Sequence, residues 1–203
     1  MIKVVETATV PKTHVAGWFL AVLPGGETEP IAGRIIEVPE DLERFEMRDA
    51  RSHFIAYVPP GSVEQGRQLA NTGGNGKSAP CTICHGPALN GVGPIPGLAG
   101  RSPSNLVRQL YDFRHGTRAG PWSPLMAPNV INLTLDDVVA LAAYAASLPP
   151  NASDFTARSK SLPSSSAMSR HNQSEVVHSF DFGFGGARRG TLLIGVDIFP
   201  RMS

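Results

Sequence analysis

Both cysteines of the chain fall in one five-residue run, Cys81-Thr82-Ile83-Cys84-His85. On a turn of helix, thiols three residues apart share a face. Such a pair can add across the two vinyl groups of a porphyrin, and the histidine that follows then presents its imidazole to the iron. C-x-x-C-H is the pattern of covalent haem attachment. Two other chemistries use paired cysteines. A redox dithiol prefers a βαβ context, whereas a Gly/Pro-rich loop follows here. A structural zinc site needs a fourth ligand and usually a second knuckle, and this run offers three donors. Haem attachment is therefore favoured. Cys81 and Cys84 would carry the two thioethers of one haem c per chain, and His85 would take the proximal position on the iron.

A covalent haem asks for a second axial ligand downstream, and Met126 and His115 are the candidates. Met47 precedes the attachment run and Met168 lies in the C-terminal tail. Met126 sits in Trp122-Ser123-Pro124-Leu125-Met126-Ala127-Pro128, read as a stiff proline-flanked loop without regular structure. His115 stands at the end of a predicted helix beside Gly116, where a histidine more often interacts with the last carbonyls. Met126 is favoured. An iron-bound histidine also gives its other N–H to an acceptor. The stretch Gly93-Pro94-Ile95-Pro96-Gly97-Leu98-Ala99-Gly100 offers the carbonyls of Pro94 and Pro96, and spacing does not choose between them.

Helices must enclose such a site. Gly61-Ser62-Val63-Glu64-Gln65 reads as a helix start, with Ser62 as N-cap and Gln65 completing a capping box. That helix runs to about Ala70 and ends at Gly73-Gly74. A second begins at Ser102-Pro103, carries Leu106, Leu110 and Phe113 on one face, and stops at Gly116. A third begins at Thr134, with Asp136 and Asp137 suiting the dipole. Val138, Leu141, Ala142, Ala145 and Leu148 mark it as amphipathic, and its small residues allow close packing near Gly66.

Residues 1–60 read as a β-rich N-terminal segment. Thr13–Val22 is expected as one strand ending at the Gly25-Gly26 turn. Further strands are expected at Arg34–Val38 and His53–Val58, with a short helical turn between Pro39 and Arg51. His14 and His53 are lone histidines, read as surface residues. Residues 61–150 form the helical domain. Residues 151–203 are Ser-rich, without helical or strand period up to about Ser179, and are expected to be largely disordered. The apolar run Thr191–Phe199 is a strand candidate without an evident partner.

The whole-chain balance limits the rest. The 203 residues carry a formal net charge of +1, which argues against nucleic-acid binding driven by bulk charge. The 21 glycines and 18 prolines predict many turns. No apolar run reaches the length of a membrane span. Val15–Leu23 has the length of a signal core, but no small-residue cleavage site follows it, so no export signal is read.

With its parts in this order, the segment 61–150 resembles the class I c-type cytochromes. The likeness rests on Cys81–His85, Gly93-Pro94 through Leu98-Ala99-Gly100, Met126 in its proline-flanked segment, and Leu141–Leu148 (LAAYAASL). It is greatest to the second haem domain of bacterial periplasmic two-haem cytochromes, where a β-rich stretch similar to residues 2–60 joins the domains. The resemblance implies a mainly α fold, the cytochrome c fold, around one haem, with Cys81 and Cys84 as thioethers, His85 proximal and Met126 distal. It also implies that Gly66 and Tyr144 mark the crossing of the first and last helices. The chain reads as the second half of a longer cytochrome, truncated and ending in an unrelated tail.

The expected function is one-electron transfer, not catalysis of bond chemistry. The chain would act alone or as a subunit of a redox complex. It would be periplasmic, exchange electrons with redox partner proteins, and bind neither nucleic acid nor membrane. The alternatives are a ligand-binding or peroxidase-like haem protein, and a haem-free fragment, dithiol or zinc protein.

Overall fold

The structure, a computed structural model, describes residues 2–150. The expectations for the Ser-rich tail and for Thr191–Phe199 lie outside the described residues.

Seven strands and a short helix occupy the N-terminal part. They are β1 (Ile2–Glu6), β2 (Thr9–Pro11), β3 (Thr13–Ala16), β4 (Phe19–Val22), β5 (Thr28–Pro30), β6 (Ile36–Pro39), α1 (Leu42–Glu46) and β7 (Phe54–Val58). The central sheet has the order β1-β7-β6. Strand β1 runs parallel to β7 with Val4 opposite Ala56, and β6 runs antiparallel to it with Val38 opposite Ile55. The stretch Thr13–Val22 is two strands and not one. It turns back at Gly17-Trp18, where Gly17 takes φ +71°, and β3 pairs with β4 as a hairpin. The left-handed backbone at Gly17 is cheap only for glycine, and that residue breaks what alternation alone reads as continuous. Phe45 of α1 packs edge-on against Phe19 and Phe54, with centroids 4.7 and 5.1 Å away. Aromatic edges on faces hold the small helix against the sheet.

The second half is helical: α2 (Ser62–Thr72), α3 (Cys81–His85), α4 (Pro103–Arg114), α5 (Ser123–Met126), a 3-10 turn (Ala127–Asn129) and α6 (Leu135–Ser147). Helix α2 ends at Gly73, in left-handed conformation, as the Gly pair implies. Its start differs from expectation. Gly61 is the N-cap and Ser62 is the first helical residue, with its hydroxyl turned back to donate to the Pro59 carbonyl at 2.6 Å. The cap comes instead from Glu6 at the end of β1, whose carboxylate accepts the Val63 N–H at 2.8 Å. A second carboxylate acts likewise. Glu37 of β6 accepts the Ser102 hydroxyl at 2.7 Å and lies 3.4 Å from the Ser104 N–H at the start of α4. A carboxylate there satisfies donors that the helix leaves unpaired and complements its dipole.

Helix α6 is the axle of the fold. Its sequence reads as amphipathic, yet every residue from Asp137 to Ala146 is buried. The core around it joins Leu69 and Ala70 of α2, Leu106 of α4 and Leu89 of the loop after α3. Val58 of β7 and Ile35, just before β6, belong to the same cluster. The β-rich segment thus covers the side of α6 that the helices leave open. At the crossing with α2, a Cβ added to Gly66 would overlap the Ala140 carbonyl and come within 2.8 Å of the Tyr144 Cβ. Only glycine lets the two backbones meet so closely. A capping box starts α6, with the Thr134 hydroxyl accepting the Asp137 N–H and the Asp137 carboxylate accepting the Thr134 N–H.

Candidate functional site

The C-x-x-C-H run forms the single turn α3. Pro80 leads into it with extended ψ, and Gly86, at φ +82°, ends it. One turn is enough to put Cys81 and Cys84 on a common side. Both are free thiols. Cys81 is half-buried and packs against the main core, and burial pushes its thiol pKa up. Cys84 is exposed, as is Ile83 beside it at 72%.

His85 is buried, and its Nδ1 lies 2.8 Å from the Pro96 carbonyl. A carbonyl only accepts, so Nδ1 carries a proton, and in the neutral ring Nε2 is then the nitrogen with the lone pair that a metal would take. Of the two carbonyls that sequence left open, the chain uses that of Pro96. The loop from Gly86 to Gly100 is built to place it. The Gly91 N–H donates to the His85 carbonyl at 2.8 Å, and the Leu98 N–H donates to the Leu89 carbonyl at 2.7 Å. Leu89, 2% exposed, anchors the loop in the core, and the Gly100 N–H ties its end to the Ala145 carbonyl of α6 at 2.9 Å. Gly91 takes φ +87°, and a Cβ there would stand 2.6 Å from the Ile95 oxygen and 2.7 Å from the Gly97 nitrogen. Any side chain at Gly91 would push the loop, and with it the Pro96 carbonyl, out of place.

Met126 is not in an irregular loop. It ends the four-residue helix α5, and the 3-10 turn Ala127–Asn129 follows directly. Proline at the first positions of both turns favours this, since its fixed φ is already helical and its missing N–H is not needed there. The half-buried Met126 packs against the same core cluster as Cys81 and Leu98. An open cleft of about 280 Å³ lies beside it, lined by Phe113, Arg118, Ser123, Pro124 and Ala127 among others. His115 is exposed and spoken for locally. Its Nδ1 lies 2.9 Å from the Tyr111 carbonyl, and its ring stacks on Tyr111 at 3.9 Å. Of the two candidates for a distal donor, only Met126 reaches the core that Cys81 touches.

Residues that the sequence reading did not single out join the two sides. The Asn129 side chain accepts the Ala79 N–H at 3.2 Å and donates to the Leu125 carbonyl at 2.8 Å. Lys77, four residues before Cys81, donates to Asp137 at 2.7 Å. Burial works to raise the Asp137 pKa, but the hydrogen bonds from Lys77 and Thr134 outweigh it and hold the carboxyl below its usual range. The Thr-x-x-Asp spacing signalled a cap, but no local pattern signalled the partners of Asn129 and Lys77.

The donor set suits a covalently attached haem: two free sulfurs on one turn, an imidazole whose Nδ1 is held by a carbonyl, and a thioether on the same core. Among the described residues, no group of three or more His, Cys, Asp or Glu side chains is placed to hold an ion.

No family model matches the chain. Individual relatives do. It is 30% identical over 120 residues to cytochrome c-552 of Acidithiobacillus ferridurans, covering 55% of this chain and 51% of that protein. It is 37% identical over 78 residues to cytochrome c-554(547) of Halothiobacillus neapolitanus, covering 34% of this chain and 86% of the relative. A solved cytochrome c4 of Acidithiobacillus ferrooxidans is 33% identical, with a TM-score of 0.40, 43% of this chain and 50% of that one. The chain thus spans about half the length of the c-552 it matches. The c-554(547), by contrast, is matched over most of its length, well beyond a five-residue motif, and on that likeness the chain belongs to the class I c-type cytochromes.

Proposed function

We propose that this chain is a one-electron carrier with a single haem c, joined through Cys81 and Cys84 and ligated by His85 and Met126. Residues 61–150 would form its cytochrome c domain, with residues 1–60 as a β-rich cover. The observation that carries the reading is the hydrogen bond from His85 Nδ1–H to the Pro96 carbonyl. It leaves Nε2 free to bind iron, and it raises the basicity of the ring.

When bound, the haem supplies the Fe(III)/Fe(II) couple. The chain's own residues then set its poise. The Met126 thioether is a soft, neutral donor that favours the reduced state and raises the potential relative to a second imidazole. Leu98 and Phe113 pack on the same core as Met126, and apolar cover of this kind over a haem would disfavour the extra charge of the oxidised state. His85 and Met126 would both be taken up in holding the iron, leaving it no place for a substrate, so the role is carriage and not catalysis. Exposed Ile83 and Cys84 place the attachment turn at the surface, where an electron can pass to a docked redox protein. Covalent attachment also points to the periplasm as the working compartment. Among the described residues, no helix is long and apolar enough to cross a membrane.

The test uses full-length protein made with a cytochrome c maturation system. Haem that survives acid-acetone extraction is expected, and its loss would refute attachment at Cys81 and Cys84. Met126→Ala should lower the potential and let carbon monoxide bind the reduced protein at neutral pH. An unchanged potential and spectrum would remove Met126 from the site. Carbon monoxide binding to the parent would favour a ligand-binding haem protein instead.

A further inference from the structure

We infer that Asn129 is a positioning residue that locks the Met126 segment to the entry of the cysteine turn, a role resting on Met126 as the distal ligand. Helix α5 has four residues and none of them is buried. Trp122 and Leu125 are each 66% exposed. Met126 itself is half-buried against the main core, but Trp122 and Leu125 beside it add little packing to hold the segment. The backbone hydrogen bonds of this segment are local ones, such as Ser123 N–H to Gly120 O and Val130 N–H to Ala127 O. They shape the turns without tying them to the rest of the molecule.

Asn129 makes the long connection. Its Oδ1 accepts the Ala79 N–H, fifty positions upstream and two residues before Cys81, and its Nδ2 donates to the Leu125 carbonyl, adjacent to Met126. An amide has one accepting end and one donating end, and here each faces the group it requires, so the side chain has one consistent orientation. Neither a carboxylate nor an aliphatic residue of this size can make both bonds. The Lys77–Asp137 pair at 2.7 Å fastens the same upstream segment to the start of α6. Asn129 is the tie that reaches the methionine. Removing it should leave the sulfur free to swing away from the iron.

The experiment measures imidazole binding to the oxidised, haem-loaded full chain by its spectral shift, because imidazole competes with the distal donor. Asn129→Ala is expected to bind imidazole roughly tenfold more tightly than the parent, and Asn129→Asp to show a smaller gain in the same direction, the scale of two lost hydrogen bonds and of one. Asn129→Asp keeps the acceptor for Ala79 and loses the donor to Leu125, so it serves if the alanine variant does not fold. In a Met126→Ala background, Asn129→Ala should add nothing, because the residue acts through Met126. An unchanged imidazole affinity with only a lowered melting temperature would overturn the inference, as would an equal gain in both backgrounds. If Met126→Ala itself leaves imidazole affinity unchanged, the ligand assignment fails and the inference falls with it. If Met126→Ala acts and Asn129→Ala does not, the inference alone fails.

Discussion

Single atoms decide much of what the site can do. At His85 the choice of acceptor for Nδ1–H fixes the tautomer, and the tautomer fixes which nitrogen can face a metal. At the two sulfurs, position on one turn separates the environments: Cys81 is packed and its pKa raised, while Cys84 faces solvent. Asp137 gathers the most roles in one side chain, since it caps α6, accepts from Lys77 and is only 7% exposed. Its folded pKa lies below the ordinary carboxylate value, so its contribution to stability is present above that ordinary value and lost as pH falls through the folded pKa. Asp137→Asn should therefore cost about 1–2 kcal/mol at neutral pH, the scale of a lost cap and a charged hydrogen bond. Urea titrations of parent and variant should show that difference constant above about pH 5 and shrinking below about pH 4. A difference that does not change with pH would remove the Lys77–Asp137 pair from the account.

At the scale of elements, the crossing of α2 and α6 sets how closely the frame can shut. The contact at Gly66 has no room for a methyl group, because the Ala140 carbonyl and Tyr144 stand in its place. Gly66→Ala would gain helix propensity in an isolated helix. Here it should instead lower stability by about 1–3 kcal/mol, as overpacking does, and chemical denaturation of the haem-loaded protein reads this directly. A stabilised variant would mean that the two helices can slide apart at little cost. The short elements behave differently. Helices α3 and α5 have one turn each and would not persist alone. The first depends on the loop that Leu89 pins and the second on side-chain ties, so both are consequences of the surrounding packing.

At the largest scale, the described residues join two segments that differ in composition and secondary structure. Val58 and Ile35 of the β-rich part share a core cluster with Leu69, Leu106 and Leu141 of the helical part. Glu6 and Glu37 cross the same boundary to the starts of α2 and α4. Residues 2–60 are thereby wall and cap for the helices and not merely a tether. Unfolding should accordingly be cooperative across both segments. The two tryptophans allow a direct check, since Trp18 lies in the β part and Trp122 in the helical part. In a Trp122→Phe variant, Trp18 fluorescence and helical circular dichroism should follow the same urea transition. Loss of the Trp18 signal well before the helices would show that the N-terminal segment unfolds on its own.

Local chemistry was legible in the sequence because its signals are local. The helical turn at Cys81–His85, the Gly73 stop, the Ser102-Pro103 start and the Thr134 cap each depend on residues within a few positions, and each stands where the sequence places it. Tertiary structure decided the remainder. It chose Pro96 over Pro94, replaced Ser62 by Glu6 at the start of α2, buried a helix that reads as amphipathic, and bridged Ala79 to Leu125 through Asn129. The physical reason is common to all four. A hydrogen bond or a covered face between distant residues has no periodicity along the chain, so it exists only once the backbone has brought its partners together.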